Sequence, residues 1–402
     1  MLYREMGKTG DRVSILGFGC MRFRELNGRI DEQLTERQLL QAIDSGVNYF
    51  DTAYVYHGGK SESFLGKVLS RGLRDKVRIA TKLPIYMIHS QQDMDEVLGT
   101  QLKRLETDRI DYYLLHMLTD FASWEKLKSL GILDFIQKAK RNGKIIHTGF
   151  SYHGDRDDFK LIMDDYNWDM CQIQYNYLDE HYQAGTEGLK YAASKGMGVV
   201  VMEPLRGGKL VGRMPAEVEE IWDSAEIKRT PAEWAFRWVW DHPEVTALLS
   251  GMNEVAHISE NTRIAGEAYP NSLQPQELAI VDRVKEVYQK LLKIGCTSCR
   301  YCMPCPAGVD IPNCLGIYND KYLFNTRRTK IQYFLITSGL VGGVPSYASL
   351  CSECGKCERV CPQHLSIRWH LKNVARDLQY PAMKQLVRFV QSVTKGINFF
   401  KR

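Results

Sequence analysis

Short apolar runs alternate with amphipathic segments over most of the chain. Eight of these runs have the length and the apolar content of buried strands. They cover residues 13–19, 47–51, 77–82, 110–116, 145–151, 170–175, 198–202 and 245–250. Between them, apolar residues recur every three or four positions, as in 36–45 and 125–142, which predicts helices. Alternating strands and helices predict a parallel sheet, and eight units over about 250 residues favour a closed (β/α)8 TIM barrel over an open sheet.

Several of the predicted strands carry polar residues toward their ends. These residues are Asp51, Lys82, His116, Ser151 and Gln172. In a (β/α)8 barrel, the carboxyl ends of the strands form the face that holds the active site. Polar residues also end strands without any function, but that explains an Asp, a Lys and a His together less easily. No G-x-G-x-x-G follows the first strand, which argues against a Rossmann domain.

The pattern changes after residue 266. Nine of the 11 cysteines fall between Cys296 and Cys361, and helical spacing around 313–319 and 329–337 predicts a mainly α-helical domain there. Residues 367–402 carry eight Lys or Arg and one acid, a charge of +7 in a chain whose formal net charge is +5. We therefore predict four segments: a barrel at 1–266, a linker helix at 267–295, a cysteine domain at 296–366 and a basic helical tail at 367–402.

The composition is that of an ordinary globular protein. Apolar residues make up 44% and charged residues 25%, which excludes general disorder. No long apolar run exists, and Pro345 interrupts the longest uncharged stretch, 331–352, so we predict no transmembrane segment. Charged residues occupy positions 1–7, where a signal peptide needs an apolar core. We therefore expect a cytoplasmic protein, a setting in which cysteines rarely form a disulfide framework. No motif supports nucleic-acid binding.

The strongest motif in the barrel region spans residues 46–66. It reads G-V-N-Y-F-D-T-A-Y-V-Y-H-G-G-K-S-E-S-F-L-G. It resembles the aldo-keto reductase superfamily signature G-x4-D-T-A-x2-Y-x2-G-x-S-E-x2-L-G almost position by position. The resemblance covers residues 1–266, including 3–10, which look like the N-terminal hairpin of the family. It implies a catalytic tetrad of Asp51, Tyr56, Lys82 and His116.

The residue types of this tetrad suit carbonyl reduction. A tyrosine with a pKa near ~10 is a poor acid at neutral pH, and a neighbouring ammonium stabilises its phenolate. Lys82 would have this effect on Tyr56, and Asp51 would hold Lys82. His116 would orient the substrate oxygen, while Tyr56 is the general acid in reduction and the general base in oxidation. Each residue alone is compatible with a surface tyrosine or an ordinary ion pair; the joint pattern favours catalysis.

The resemblance also implies a nicotinamide cofactor, NADP or NAD. Ser151 and Gln172 would bind its carboxamide, the loop 203–209 would wrap its pyrophosphate, and 249–261 would meet its adenosine. The expected contacts are Ser151, Gln172, Met202, Pro204, Leu205, Arg206, Gly207, Lys209, Ser250, Gly251, Asn253, His257, Glu260 and Asn261.

Two departures from the family pattern affect the choice of cofactor. Many members use a Lys, a Ser and an Arg around the 2′-phosphate, where this chain has Gly251, Met252 and His257. A phosphate prefers a guanidinium or an ammonium, so the choice between NADP and NAD stays open. Met202 stands where an aromatic residue often stacks on the nicotinamide.

Two cysteine runs dominate the second region. The second is C-x2-C-x2-C-x3-C-P, which is specific for [4Fe–4S] ligation. Four thiolates also suit zinc, but zinc ribbons show paired C-x2-C knuckles. In two-cluster ferredoxins the fourth cysteine of each run binds the other cluster. That predicts one cluster on Cys296, Cys299, Cys302 and Cys361, and a second on Cys351, Cys354, Cys357 and Cys305.

Three cysteines remain outside this ligand set. The first run is one residue shorter than the second, so Cys314 is an alternative ligand. The long spacing between the runs is similar to that of helical ferredoxin domains. Cys20 and Cys171 lie in the barrel region, where we predict buried thiols.

The whole chain resembles aldo-keto reductases with a C-terminal 4Fe–4S ferredoxin-type domain. This implies an oxidoreductase that interconverts a small carbonyl and an alcohol with NAD(P)(H), with two clusters that relay electrons to a protein partner, a ferredoxin or a flavoprotein. A hydride carries two electrons and a cluster passes one, so a flavin is normally needed between them; no flavin motif is visible. The alternative is a nucleotide-binding redox-sensing or docking protein, since the family includes channel subunits.

Overall fold

The computed structural model describes residues 1–212, 214–296, 302–324, 328–339, 344–361 and 364–381, together with Met383, Gln385 and Val387. The chain divides into two compact units. The first, which we call the barrel unit, comprises Met1–Val211 and Ser224–Val281. The second, the cysteine unit, comprises Gly212–Asp223 and Asp282–Arg402.

Eight parallel strands form a closed barrel, which confirms the predicted fold. The strands of the chain are β1 (Tyr3–Glu5), β2 (Arg12–Ser14), β3 (Leu16–Gly19), β4 (Glu25–Leu26), β5 (Arg29–Ile30), β6 (Tyr49–Asp51), β7 (Arg78–Pro84), β8 (Ile110–Leu118), β9 (Ile145–Tyr152), β10 (Met170–Gln174), β11 (Gly198–Met202) and β12 (Ala247–Ser250). The barrel order is β10-β11-β12-β3-β6-β7-β8-β9. The two short antiparallel pairs, β1–β2 and β4–β5, lie outside the barrel sheet.

Helices connect successive barrel strands and continue beyond the last one. They are α1 (Glu32–Asp44), α2 (Lys60–Leu69), α3 (Gln91–Arg104), α4 (Phe121–Ser129), α5 (Ile132–Arg141), α6 (Arg156–Asp165), α7 (Gly185–Ser194), α8 (Ala216–Ser224), α9 (Pro231–Trp240), α10 (Val255–Ile264) and α11 (Pro275–Lys290). The helical spacing predicted at 125–142 is confirmed, and two helices, α4 and α5, occupy it. Gly131 has φ +87° between them, a left-handed conformation that ends α4 and starts α5.

The hairpin β1–β2 closes the amino end of the barrel. Met6 and Val13 are fully buried and pack with Tyr49 and Met170, the first residues of β6 and β10. Burying such apolar side chains contributes about 25 cal/mol per Å² of surface removed from water. Because the amino end is filled in this way, the carboxyl end is the face left for a site, as the strand-end residues predict.

The cysteine unit is helical where the structure describes it. Its further helices are α12 (Ile311–Phe324), α13 (Thr329–Thr337), α14 (Lys356–Arg359) and α15 (Ile367–Leu378). The helical spacing predicted at 313–319 and 329–337 is confirmed by α12 and α13. These helices share one apolar core, to which each contributes buried residues, among them Leu315, Tyr333, Cys357 and Leu371. Across the described ranges, no helix is both long enough and apolar enough to cross a membrane.

Candidate active site

A buried ion pair lies at the carboxyl ends of two adjacent barrel strands. Asp51 ends β6, and Lys82 lies in β7, which pairs with β6 in parallel. The Lys82 ammonium is 2.7 and 2.8 Å from the two Asp51 carboxylate oxygens and 2.8 Å from the Thr52 carbonyl oxygen. Both side chains are at most 3% exposed. Removing either partner would leave an uncompensated charge in the core, so each residue fixes the other.

Tyr56 and His116 complete the group. Tyr56 begins the short 3₁₀ turn Tyr56–Gly59 after β6, and the Lys82 ammonium lies 5.0 Å from the centroid of its ring. His116 projects from β8 with its ring centroid 6.0 Å from that of Tyr56, in an edge-on arrangement. The structure thus brings together all four residues of the predicted tetrad.

Burial controls the protonation of this group. It raises the pKa of the Tyr56 phenol, and the Lys82 ammonium opposes the shift. The effect of Lys82 has the sign that the sequence predicts, but burial outweighs it, so the phenol stays protonated at neutral pH. Burial, reinforced by Lys82, holds the pKa of His116 well below its usual value. His116 is therefore a neutral imidazole that can donate one hydrogen bond and accept another.

Polar atoms without a partner lie beside the tetrad. Ser151 and Gln172 are register partners on β9 and β10, and both are buried. The Ser151 hydroxyl oxygen accepts a hydrogen bond from the Met117 backbone N–H at 2.8 Å. Within the described residues, no group pairs with Gln172 Oε1 or His116 Nδ1. A buried unpaired polar atom costs about 1–3 kcal/mol, so these atoms fit a polar ligand. In particular, Gln172 Oε1 fits the N–H groups of a nicotinamide carboxamide.

The loop after β11 has a strained backbone and a charged lining. Glu203 and Arg206 have φ near +56° and +50°, and Gly207 has +69°. Arg206 forms an ion pair with Asp179 at 3.2 Å, and the buried Asp179 carboxylate also accepts hydrogen bonds from Gln174 and Asn176. Met202 ends β11, and its sulfur accepts a hydrogen bond from Gln172 at 3.6 Å. Pro204 is buried, Leu205 is half-buried, and Lys209 lies near the Glu203 carboxylate.

Side-chain hydrogen bonds hold the segment that follows β12. Asn261 is buried in α10 and donates to the Ser250 hydroxyl oxygen at 3.0 Å. The Glu260 carboxylate accepts from the Thr230 hydroxyl at 2.6 Å. Gly251 is half-buried, while Asn253 and His257 are exposed. Residues 250–262 contain no Lys or Arg, so this segment itself brings no fixed cation to a 2′-phosphate.

A buried polar network around Glu62 and Gln101 supports the backbone of Lys82. We did not predict this network from the sequence. Glu62 is fully buried and accepts hydrogen bonds from Thr81 at 2.6 Å, Gln101 at 2.9 Å and Arg104 at 3.0 Å. The Gln101 amide also donates to the Lys82 carbonyl oxygen at 3.0 Å. The network therefore holds the backbone of the catalytic lysine candidate. The sequence signal for this network was the pair Ser61-Glu62 in the 46–66 motif. Neither residue of that pair belongs to the tetrad.

Arg22 is a second residue that the sequence reasoning missed. It follows β3 at the carboxyl end of the barrel, and its side chain lies against Gly207 and Gly251. Its position is the available sequence signal, because Arg22 comes three residues after Gly19, the end of the first barrel strand, and polar residues near strand ends line the active-site face.

The cysteine unit gathers most of the predicted ligands around one core. Cys299 lies outside the described residues. Of the other seven, Cys357 belongs to the core and Cys354 is exposed. The remaining five pack against that core; they are Cys296, Cys302, Cys305, Cys351 and Cys361.

Thiols are the donor type that an iron–sulfur cluster binds. The described cysteines form no disulfides, and no three described Cys, His, Asp or Glu side chains lie close enough together to hold a metal ion. Six thiols around one core still provide the soft ligands that such clusters require. Cys314 is buried and contacts the Tyr333 hydroxyl at 3.6 Å and the Ser346 carbonyl oxygen at 3.7 Å. In the barrel unit, Cys20 and Cys171 are fully buried, which confirms their prediction.

Comparisons with known proteins cover both units. The profile of the Aldo/keto reductase family matches residues 15–286, and that of a 4Fe-4S dicluster domain matches residues 295–365. L-galactose dehydrogenase of Arabidopsis thaliana is 26% identical over 311 residues, which are 72% of this chain and 95% of that protein. An uncharacterized oxidoreductase of Bacillus subtilis is 27% identical over 65% of this chain and 90% of its own length. The structure of an aldo-keto reductase of Bacillus halodurans in its holo form matches with a TM-score of 0.59 and 26% identity, over 71% of this chain and 96% of that one.

Proposed function

The chain belongs to the aldo/keto reductase family of oxidoreductases and carries a C-terminal 4Fe-4S dicluster domain, and we propose that it interconverts a small carbonyl compound and an alcohol with NADP(H) or NAD(H). The observation that carries this proposal is the buried Lys82–Asp51 pair beside Tyr56 and His116. An ammonium, a protonated phenol and a neutral imidazole in one group are what proton transfer to a carbonyl oxygen requires.

Each tetrad residue has a separate task in reduction. The nicotinamide, when bound, supplies a hydride to the carbonyl carbon. Tyr56 donates its phenolic proton to the carbonyl oxygen, and the Lys82 ammonium stabilises the phenolate that forms. Asp51 holds the ammonium in place. His116 donates a hydrogen bond to the same oxygen and orients the substrate. In oxidation, Tyr56 is the base.

The cofactor contacts follow the strand ends. Gln172 Oε1 and the Ser151 hydroxyl bind the carboxamide, and Met202 lies beside the ring. The loop 203–209 binds the pyrophosphate, with Pro204, Leu205 and Gly207 supplying its wall and Arg206 and Lys209 its charge. The segment from Ser250 to Asn261 binds the adenosine, with Gly251, Asn253 and His257 near its ribose and Glu260 and Asn261 near its base.

The cysteines hold two 4Fe–4S clusters in this proposal. One cluster takes Cys296, Cys299, Cys302 and Cys361, and the other takes Cys351, Cys354, Cys357 and Cys305. The engagement of Cys314 with Tyr333 and Ser346 supports leaving it out of the ligand set. When bound, the clusters would supply single-electron transfer to a ferredoxin or flavoprotein partner, and a flavin that couples them to hydride transfer would belong to that partner.

The transfer of deuterium tests the proposed reaction. The full chain, purified without oxygen, is incubated with NADH or NADPH deuterated at both C4 positions and with a panel of aldehydes and ketones, and the masses of the products are measured by mass spectrometry. We expect an alcohol one mass unit heavier than the undeuterated product. Cofactor oxidation without deuterium in any product, or cofactor binding without turnover, would contradict the proposal. The second outcome is what a redox-sensing or docking protein would give.

A further inference from the structure

One cation spans the gap between the two loops that flank the carboxyl end of the barrel. The aliphatic part of Arg22 lies along Gly251, where a Cβ would come within 3.0 Å of Arg22 Cβ. Its guanidinium lies against Gly207, where a Cβ would come within 3.2 Å of Arg22 Nη2. A larger residue at either glycine would therefore crowd Arg22, so both loops leave room for this side chain.

The other cations of this region already face carboxylates. Arg206 forms an ion pair with the buried Asp179, and Lys209 lies near Glu203. Arg22 also lies near Glu203, but no side chain in the described ranges holds its guanidinium in a hydrogen bond or an ion pair. Arg22 is exposed, so its donors face solvent.

The local charge balance depends on Arg22. The groups around Glu203 are three cations, Arg22, Arg206 and Lys209, and two carboxylates, Glu203 and Asp179. The surplus is one positive charge, and it disappears when Arg22 is removed. A pyrophosphate diester carries two negative charges, and without Arg22 the loop 203–209 together with Asp179 presents it with a neutral set of side chains.

We propose that Arg22 binds the pyrophosphate of the dinucleotide, bridging the loop after β11 and the loop after β12. A guanidinium suits this role because its planar donors bond two phosphate oxygens at once. The role rests on the proposed function, since it requires a dinucleotide cofactor. It adds a cation from the turn after the first barrel strand to the charge that the loop 203–209 supplies.

Direct binding to the full chain tests this role. Isothermal titration gives the Kd of NADH, NADPH, ADP-ribose and adenosine for the wild type, Arg22→Met, Arg22→Lys and Arg24→Met. ADP-ribose carries the pyrophosphate without a nicotinamide. Arg24 is an exposed arginine two residues away and is the matched control. Thermal unfolding checks that each variant is folded.

We expect Arg22→Met to weaken NADH, NADPH and ADP-ribose by the same factor, about 10- to 100-fold, because a charge-assisted hydrogen bond is lost. Arg22→Lys should recover part of the affinity, while adenosine and Arg24→Met should show no change. Unchanged affinities in Arg22→Met would overturn the proposal. A loss confined to NADPH would also overturn it, because Arg22 would then contact the 2′-phosphate. Absence of dinucleotide binding by the wild type would contradict the proposed function itself, and with it the role of Arg22.

Discussion

The two candidate sites of this protein are held in different ways. In the barrel unit, Asp51 and Lys82 satisfy each other, and Glu62 and Gln101 hold the strand behind them. The polar groups of that site are therefore positioned by the protein's own hydrogen bonds. In the cysteine unit, the thiols pack around a small core and form no disulfides in the described residues. The geometry of the barrel site depends on the register of its strands. The geometry of the cysteine site depends, in the proposed function, on the iron–sulfur clusters that its thiolates would bind.

Because the two sites are held differently, substitutions in them should affect different properties of the protein. A change at the barrel site disturbs a network whose members are all protein groups, so its cost appears both in stability and in turnover. In the proposed function, a change at the cysteines would remove a ligand from an inorganic cluster, and binding of such a cluster is coupled to folding of its domain. The two kinds of change should therefore be separable by experiment.

The largest expected effect comes from Lys82→Met. It should abolish measurable turnover and also lower the free energy of unfolding by about 3–5 kcal/mol, because the Asp51 carboxylate loses its partner in the core. The double variant Asp51→Asn/Lys82→Met should recover much of the stability without recovering turnover. Urea denaturation and cofactor oxidation measure the two quantities. Equal stability of the wild type and Lys82→Met would show that the barrel site is not held by this pair.

Replacement of a proposed cluster ligand should lower the iron content of the cysteine unit and leave the barrel unit unchanged. In the two-cluster proposal, Cys357→Ala loses about four of about eight irons per chain, because one cubane loses a ligand. Binding of NADH by the barrel unit should be unchanged. Iron analysis and titration calorimetry on protein purified without oxygen measure both.

Cys314→Ala is the matched control for this prediction, because Cys314 is another buried thiol of the same core. It should keep its full iron content. Iron loss in Cys314→Ala would identify that residue as a ligand. Loss of NADH binding in Cys357→Ala would show that the two sites are not independent.

The smallest expected effect comes from Gln101, which holds the backbone of Lys82. Gln101→Leu removes the hydrogen bonds to Glu62 and to the Lys82 carbonyl oxygen. Turnover should fall by about tenfold with KM unchanged, since roughly one hydrogen bond's worth of positioning is lost. Gln92→Leu, on the exposed side of the same helix, is the control. A fall in turnover in both variants, or in neither, would show that Gln101 does not position Lys82.

The fold and the grouping of the tetrad could be predicted because their signals are local. Buried parallel strands read as continuous apolar runs, and each of the eight runs corresponds to a strand of the barrel. Asp51, Lys82 and His116 lie at strand ends, so a closed barrel brings them to one face. The break at Gly131 was missed because an isolated glycine in a helical pattern is often tolerated.

Contacts between distant loops could not be predicted in this way. Arg22 meets Gly207 and Gly251 only because β3 adjoins β12 and β12 adjoins β11 when the barrel closes. The ion pair of Arg206 with Asp179 likewise joins two different loops. The net direction of the Tyr56 pKa depends on how deeply the phenol is buried, which the position of Lys82 in the sequence does not reveal.

In the proposed reaction, Tyr56 donates the proton to the carbonyl oxygen. Single-turnover deuteride transfer in Tyr56→Phe tests it most directly, with Tyr54→Phe as the control, since the guanidinium of Arg104 lies over the Tyr54 ring and the variant keeps that ring. We expect a rate lower by about 100- to 10,000-fold in Tyr56→Phe, the usual contribution of a general acid, and an unchanged rate in Tyr54→Phe. Equal rates in Tyr56→Phe and the wild type would contradict it.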